Sequence, residues 1–189
     1  IDTTSIDNAA YALESKAFFI SRVGTDGFKI YHKATIKKAV NDRRASLDED
    51  EEIKPSMRNL VKKEFEKGAS IPIVKYPEDG ASISDSPKLT LVLMDPEKEW
   101  PADGELPQQI AEWTKKRGDS PRLYPGSLVW CFKKSGRDLR TNIELWLAWQ
   151  RVKNEMADGT LGTDYDRTDY SKVDTSVRDA EEAAKDEVW

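Results

Sequence analysis

The chain has one cysteine, Cys131, and one histidine, His32, among 189 residues. A single cysteine excludes a disulfide framework within the chain and fits a reducing, cytoplasmic compartment. One Cys and one His cannot build a Cys/His zinc site, so no bound metal is expected. His32 stands between Tyr31 and Lys33, neither of which would serve it as a partner in general-base chemistry. No run approaches about 18 apolar residues, so no membrane span is expected. No G-x-x-x-x-G-K-[ST] occurs, so the chain offers no phosphate-cradling loop. The sequence opens at Ile1 without a Met, a basic n-region or an apolar h-region. It is therefore read as lacking a signal peptide and as a piece of a longer polypeptide.

What is present is charge and aromatic bulk. Charged residues make up 34% and hydrophobic ones 38%, with six Trp, six Tyr and five Phe, which suits a folded protein with polar excursions. The net charge of −5 is uneven. Residues 157–189 hold ten acids against four bases, a net of −6, leaving the rest near +1. Inside that remainder Lys29, Lys33, Lys37, Lys38, Arg43 and Arg44 face only Asp42. An acidic chain argues against broad nucleic-acid affinity, and the basic segment keeps a local contact open.

Along the chain, residues 6–15 suit a short helix. Ala17 to Val23 and Phe28 to His32 suit a hairpin about Gly24-Thr25-Asp26-Gly27. Ala34 to Ala45 reads as a helix with Ile36, Ala39 and Val40 inward. The acidic LDEDEEI stretch at 47–53 suits a solvated loop or a helix start, and a helix from Pro55 stops at Gly68. Pro72 marks Ile71 to Tyr76 as an edge strand. Lys88 to Met94 reads as a central strand, Leu106 to Arg117 as a helix, and Ser127 to Phe132 as a buried strand. A long helix follows Gly136, apolar over most of its circumference, with Trp146 and Trp149 expected at the centre of a core. Residues 157–170 read as a polar linker before a helix carrying Val173, Val177, Ala180, Ala184 and Val188 at spacings of three and four. The order strand, helix, strand, helix from Lys88 predicts parallel neighbours joined by a crossover helix.

Four features bear on chemistry. Residues 89–97, LTLVLMDPE, resemble a Walker B strand ending in Asp95 with Glu97 nearby, or an ordinary strand ending in an Asp-Pro turn. Arg117, Arg122 and Tyr124 form a polar cluster in which Arg122, after Pro121, can clamp an anion or tie down its own loop through carbonyls. Arg137 and Arg140 open the long helix, where backbone amides attract anions, and with Arg122 they would make an anion site. Arg22, Lys29, Lys33, Lys37 and Lys38 would touch phosphates if the helix and hairpin at 6–32 form a winged-helix element. Cys131 reads as a buried, inert thiol.

Residues 110–152 carry a further pattern. Ile110-Ala-Glu-Trp-Thr-Lys-Lys-Arg117-Gly118-Asp-Ser120-Pro121-Arg122-Leu-Tyr124 is followed by Ser127-Leu-Val-Trp-Cys-Phe132, then Leu139-Arg140 and Leu147-Ala148-Trp149. This resembles a region of very large predicted AAA-type ATPases of bacteria and archaea, often encoded near phage-defence genes and catalogued as a domain of unknown function. The family often has Asn where Gly126 stands and an acidic turn where Lys133-Lys134 stand. The resemblance implies a region C-terminal to an ATPase core, whose ATP and Mg²⁺ would be bound by the parent protein.

The expectation is an α/β (α+β) fold: a helix and hairpin of winged-helix type over 1–68, a β-α-β-α region over 69–156, and an acidic linker with a C-terminal helix over 157–189. The expected function is a non-catalytic accessory or coupling domain contacting the rest of the polypeptide or nucleic acid. The rival readings are an enzyme fragment completed by absent domains and a nucleic-acid-binding winged helix. No catalytic residue is assigned.

Overall fold

The computed structural model of the chain describes residues 6, 8–9, 12–13, 20–23, 27–30, 35–100, 104–134, 137–162 and 165–189. Helix and sheet are mixed, as the sequence predicts. The expected turn at 24–26, and His32 and Lys33, lie outside the described residues.

Two compact units divide the chain, and neither is contiguous. Unit 1 is Ile1–Leu47 with Leu145–Val177, and unit 2 is Asp48–Glu144 with Arg178–Trp189. This differs from the three consecutive segments expected from the sequence. One long helix, α4 (Arg137–Ala157), supplies residues to both units, and so does α5 (Arg167–Asp186).

In unit 1, β1 (Ile20–Val23) pairs antiparallel with β2 (Gly27–Ile30). Helix α1 (Ile36–Ala45) is capped by Thr35, whose hydroxyl accepts the Lys38 N–H, and it buries Ala39 and Val40. These meet Ala148, Val152 and Met156 of α4 and Val173 and Val177 of α5 in one apolar cluster. Trp146 and Trp149 pack against that cluster while only partly buried. The expectation that the indoles sit at its centre is thus corrected: the central positions go to small or flexible side chains such as Ala148 and Met156, whose exposure is near zero. The Arg43 guanidinium joins Glu155 at 2.7 Å, fastening α1 to α4.

Unit 2 holds a three-stranded parallel sheet. Its order is β3 (Ile73–Lys75), β4 (Thr90–Leu93), then β7 (Leu128–Cys131). Helix α3 (Glu105–Lys115) is the crossover between β4 and β7. Val74, Val92, Leu128 and Trp130 share one face and cluster with Leu106, Ile110 and Trp113 of α3. Leu93 and Lys75 are cross-strand partners and point to the other face. Lys75 is ion-paired there with Glu66 of α2 (Lys54–Gly68), so α2 covers that side.

Strand β4 is central and almost wholly buried, as its unbroken apolar run predicts, and β3 is an edge, as Pro72 predicts. Strand β7 is the correction. It forms the other edge, partly exposed along its length, with Val129 and Phe132 each 39% exposed. The acidic stretch forms a wide helical turn at Glu49–Ile53, started by Asp48, whose carboxylate accepts the N–H groups of Asp50 and Glu51.

Candidate functional site

The sequence candidates fall into three places. The first is the loop before β7. Lys115 ends α3, and the chain then makes a miniature hairpin, β5 (Lys116–Arg117) against β6 (Ser120–Pro121), turning at Gly118 with φ of +59°. Arg122 emerges from Pro121 with its N–H on the Lys115 carbonyl at 2.9 Å. Its guanidinium then closes on backbone oxygens only: Nε donates to Trp113 at 2.6 Å, one terminal nitrogen to Ile83 and Ser84 at 3.1 Å each, and the other to Gly80 at 2.8 Å.

Four of the five N–H groups an arginine offers are thereby used. The residue is 7% exposed, and burial pushes its pKa down from the ordinary arginine value. Arg117 donates to the Ala81 carbonyl at 3.2 Å, and the backbone of Leu123 and Tyr124 donates to the Asp85 carboxylate at 2.8 and 3.0 Å. Those backbone donors, with Arg122 and Arg117 nearby, hold Asp85 below its usual range. So Arg117, Arg122 and Tyr124 do converge, and what they grip is the 80–85 loop of their own unit.

The second place is the carboxyl end of β4, where α/β sheets commonly bind ligands. Asp95 caps its own turn: its carboxylate accepts the Glu97 N–H at 3.1 Å and its carbonyl accepts the Lys98 N–H at 3.0 Å. The same carboxylate is ion-paired with Arg58 of α2. Arg140 of α4 pairs with Glu49, with Glu144 at 3.3 Å and with Glu97 at 4.0 Å. Lys54 pairs with Asp50 at 2.7 Å and reaches Glu49 at 3.9 Å. Burial pushes the Glu97 carboxyl above its ordinary value, with Lys54 pulling the other way. A groove of about 260 Å³ opens here between Met57, Pro96, Glu97, Glu99, Arg137 and Arg140.

Arg137 and Arg140 are thus neighbours, as the sequence suggests. Arg122 is not with them, because its donors are spent on the carbonyl nest. The arrangement is a net of ion pairs joining the 49–53 turn, α2, the end of β4 and α4, with Lys54, Arg58 and Arg140 set among Glu49, Asp50, Asp95, Glu97 and Glu144. Among the described residues, no group of three or more His, Cys, Asp or Glu could hold a metal ion.

The third place is the basic segment. Lys37 and Lys38 lie on α1, and Lys38 pairs with Asp42 at 2.9 Å. Arg22 and Lys29 occupy adjacent rungs of the β1–β2 ladder, opposite Phe28 and Ser21. Among the described residues no helix is long and apolar enough to cross a membrane. Cys131 is free, and burial raises its thiol pKa.

Sequence reasoning missed the acceptors of the Arg122 nest and the partners of the charged net. Arg58 and Asp95 are 37 residues apart, and Arg140 and Glu49 are 91. The local signal that existed was Gly80 in the 77–87 loop. A Cβ there would lie 2.9 Å from the Trp113 ring. Comparison of the chain with family models, with curated proteins and with solved structures gave no match.

Proposed function

We propose that this chain is a non-catalytic accessory or coupling module of a larger multidomain ATPase in the cytoplasm, binding the rest of its polypeptide or nucleic acid. The observation carrying this reading is the state of the carboxyl end of the β4 strand. An Asp serving as a Mg²⁺ ligand in a nucleotide site faces the metal and its phosphates. Asp95 instead faces Arg58 and its own turn, and Arg140 is taken up by three glutamates. Such a net ties helices to the sheet and occupies the groups a nucleotide site would need, which suits coupling better than turnover.

The test is phosphate release by the purified chain supplied with ATP and Mg²⁺. No release above buffer is expected. Release that disappears in Asp95→Ala would overturn the proposal and restore a nucleotide-hydrolysing site at the end of β4.

A further inference from the structure

The parallel sheet of unit 2 has two edges, and they are built differently. An edge strand offers a row of unpaired N–H and C=O groups, which folded proteins blunt with proline, with charge or with a cover. The β3 edge has the first two of these devices: Pro72 precedes it, and Lys75 within it is ion-paired with Glu66. The β7 edge has neither, since Leu128, Val129, Trp130 and Cys131 bring no charge and no proline.

The hydrogen bonds of the sheet define which groups of β7 are open. The Cys131 carbonyl accepts the Met94 N–H at 2.8 Å, so Cys131 and, two residues earlier, Val129 turn their backbone toward β4. Leu128 and Trp130 then turn theirs outward. Among the described residues, nothing bonds to those outward groups. Apolar side chains stand beside them. Val129, the cross-strand partner of Leu91, is 39% exposed on the α2 side of the sheet. Phe132, just past the strand, is equally exposed and stacks on Trp100 with ring centres 4.7 Å apart. Positive charge follows at once. Lys133 reaches Glu187 only at 3.9 Å, and Lys134 is exposed and without an ion pair among the described residues.

These features define what the edge accepts. Open backbone groups at strand spacing match another extended backbone, and exposed apolar side chains match apolar residues at alternate positions. Two ammonium groups at one end match carboxylates. We infer that β7 takes up an extended segment of a partner polypeptide as a fourth strand, apolar at every second residue and acidic at the end beside Lys133 and Lys134. Main-chain bonds supply affinity in such strand addition, and the side chains supply selectivity. A second copy of β7 fits less well, because no acid lies between Ser120 and Lys134 to meet the lysines. The inference stands apart from the ATPase setting, since adding a strand requires no nucleotide.

The experiment follows the fluorescence anisotropy of labelled peptides of about eight residues, titrated with the whole chain at about 20 mM salt. Each peptide alternates Thr and Val. One ends in Asp-Glu, one begins with Asp-Glu so that both strand directions are sampled, and two carry Lys-Lys at the same places. At least one acidic peptide is expected to bind, and more tightly than its Lys-Lys counterpart. Val129→Lys, which sets a charge on the edge while its backbone still bonds β4, is expected to weaken binding at least about fivefold. Lys134→Glu is expected to weaken acidic-peptide binding by about two- to fivefold and to favour the Lys-Lys peptides instead. Should Val129→Lys unfold, Lys134→Glu carries the decision, since that side chain is exposed. Failure of both acidic peptides to bind overturns the inference. So does binding that the folded variants leave unchanged. Self-association of the chain that Val129→Lys abolishes would make a second copy the occupant and overturn the assignment to a separate acidic segment.

Discussion

The guanidinium of Arg122 donates to the backbone oxygen of Gly80 at 2.8 Å, across 42 residues of sequence. Around that bond the same side chain satisfies the carbonyls of Trp113, Ile83 and Ser84. It therefore works as a substitute strand, supplying donors to a loop that has no ladder of its own.

Arg122→Ala is expected to destabilise the protein by about 1–3 kcal/mol, because it leaves buried acceptors without donors. Arg122→Lys should recover little of this, since one ammonium cannot span four carbonyls. Arg117→Ala, which removes a single exposed bond to Ala81, should cost well under ~1 kcal/mol. Denaturant midpoints of the three variants against wild type check the order.

Gly80→Ala should cost about 1–3 kcal/mol from overpacking. The new methyl would stand 2.9 Å from one carbon of the Trp113 ring and 3.1 Å from another, and the rigid ring must shift. Gly126→Ala, where a Cβ meets nothing within 4 Å, is the control, and the two should separate clearly in urea unfolding.

Tyr76 donates its hydroxyl to the Arg58 carbonyl at 2.7 Å, and burial pushes its pKa well above the ordinary value of 10.0. A raised pKa means that the protonated form is favoured in the folded state. Its contribution is complete below pH 10 and is lost as pH climbs from there toward the folded value. In an alkaline absorbance titration, Tyr76 should not ionise until the protein unfolds. Tyr76→Phe should remove one slow-ionising phenol and cost about 0.5–1.5 kcal/mol at neutral pH.

Glu97 provides the test of the charged net. Its carboxyl is raised from 4.5, chiefly by burial, so the neutral form suits the folded state better. Stability from this group is therefore complete below pH 4.5 and declines as pH rises through the higher folded value. Wild type should lose stability relative to Glu97→Gln as pH rises above 4.5. A difference that is flat, or that rises with pH, would show that Lys54 and Arg140 outweigh desolvation.

Much of the fold is legible because its signals are local. Pro72 marks an edge strand, Gly68 ends α2, and the spacing of Val173, Val177, Ala180 and Ala184 marks the buried stripe of α5. Arg122 is legible as a loop tie because proline before it and a strand after it leave the side chain little freedom. Strand β7 misleads because an apolar run reports composition and not pairing. Leu128–Cys131 resembles Thr90–Leu93, yet only the latter has a strand on each side. The two-unit division is invisible for a related reason: Leu139 and Ile143 continue into Ala148 and Val152 as one apolar stripe, although they serve different units. Ion pairs across tens of residues leave no mark at all in local pattern.

The discontinuity of unit 1 sets an order of events during synthesis. Ala39 and Val40 leave the ribosome early, but their partners Val173 and Val177 come some 130 residues later. At about 5–20 residues per second, that interval is on the order of ten seconds. During that time the basic N-terminal segment travels as an unfinished half, and most of unit 2 is translated before its partner can close. Nascent chains stalled before Met156 should therefore expose α1 to protease, whereas chains stalled well beyond Val177 should protect it.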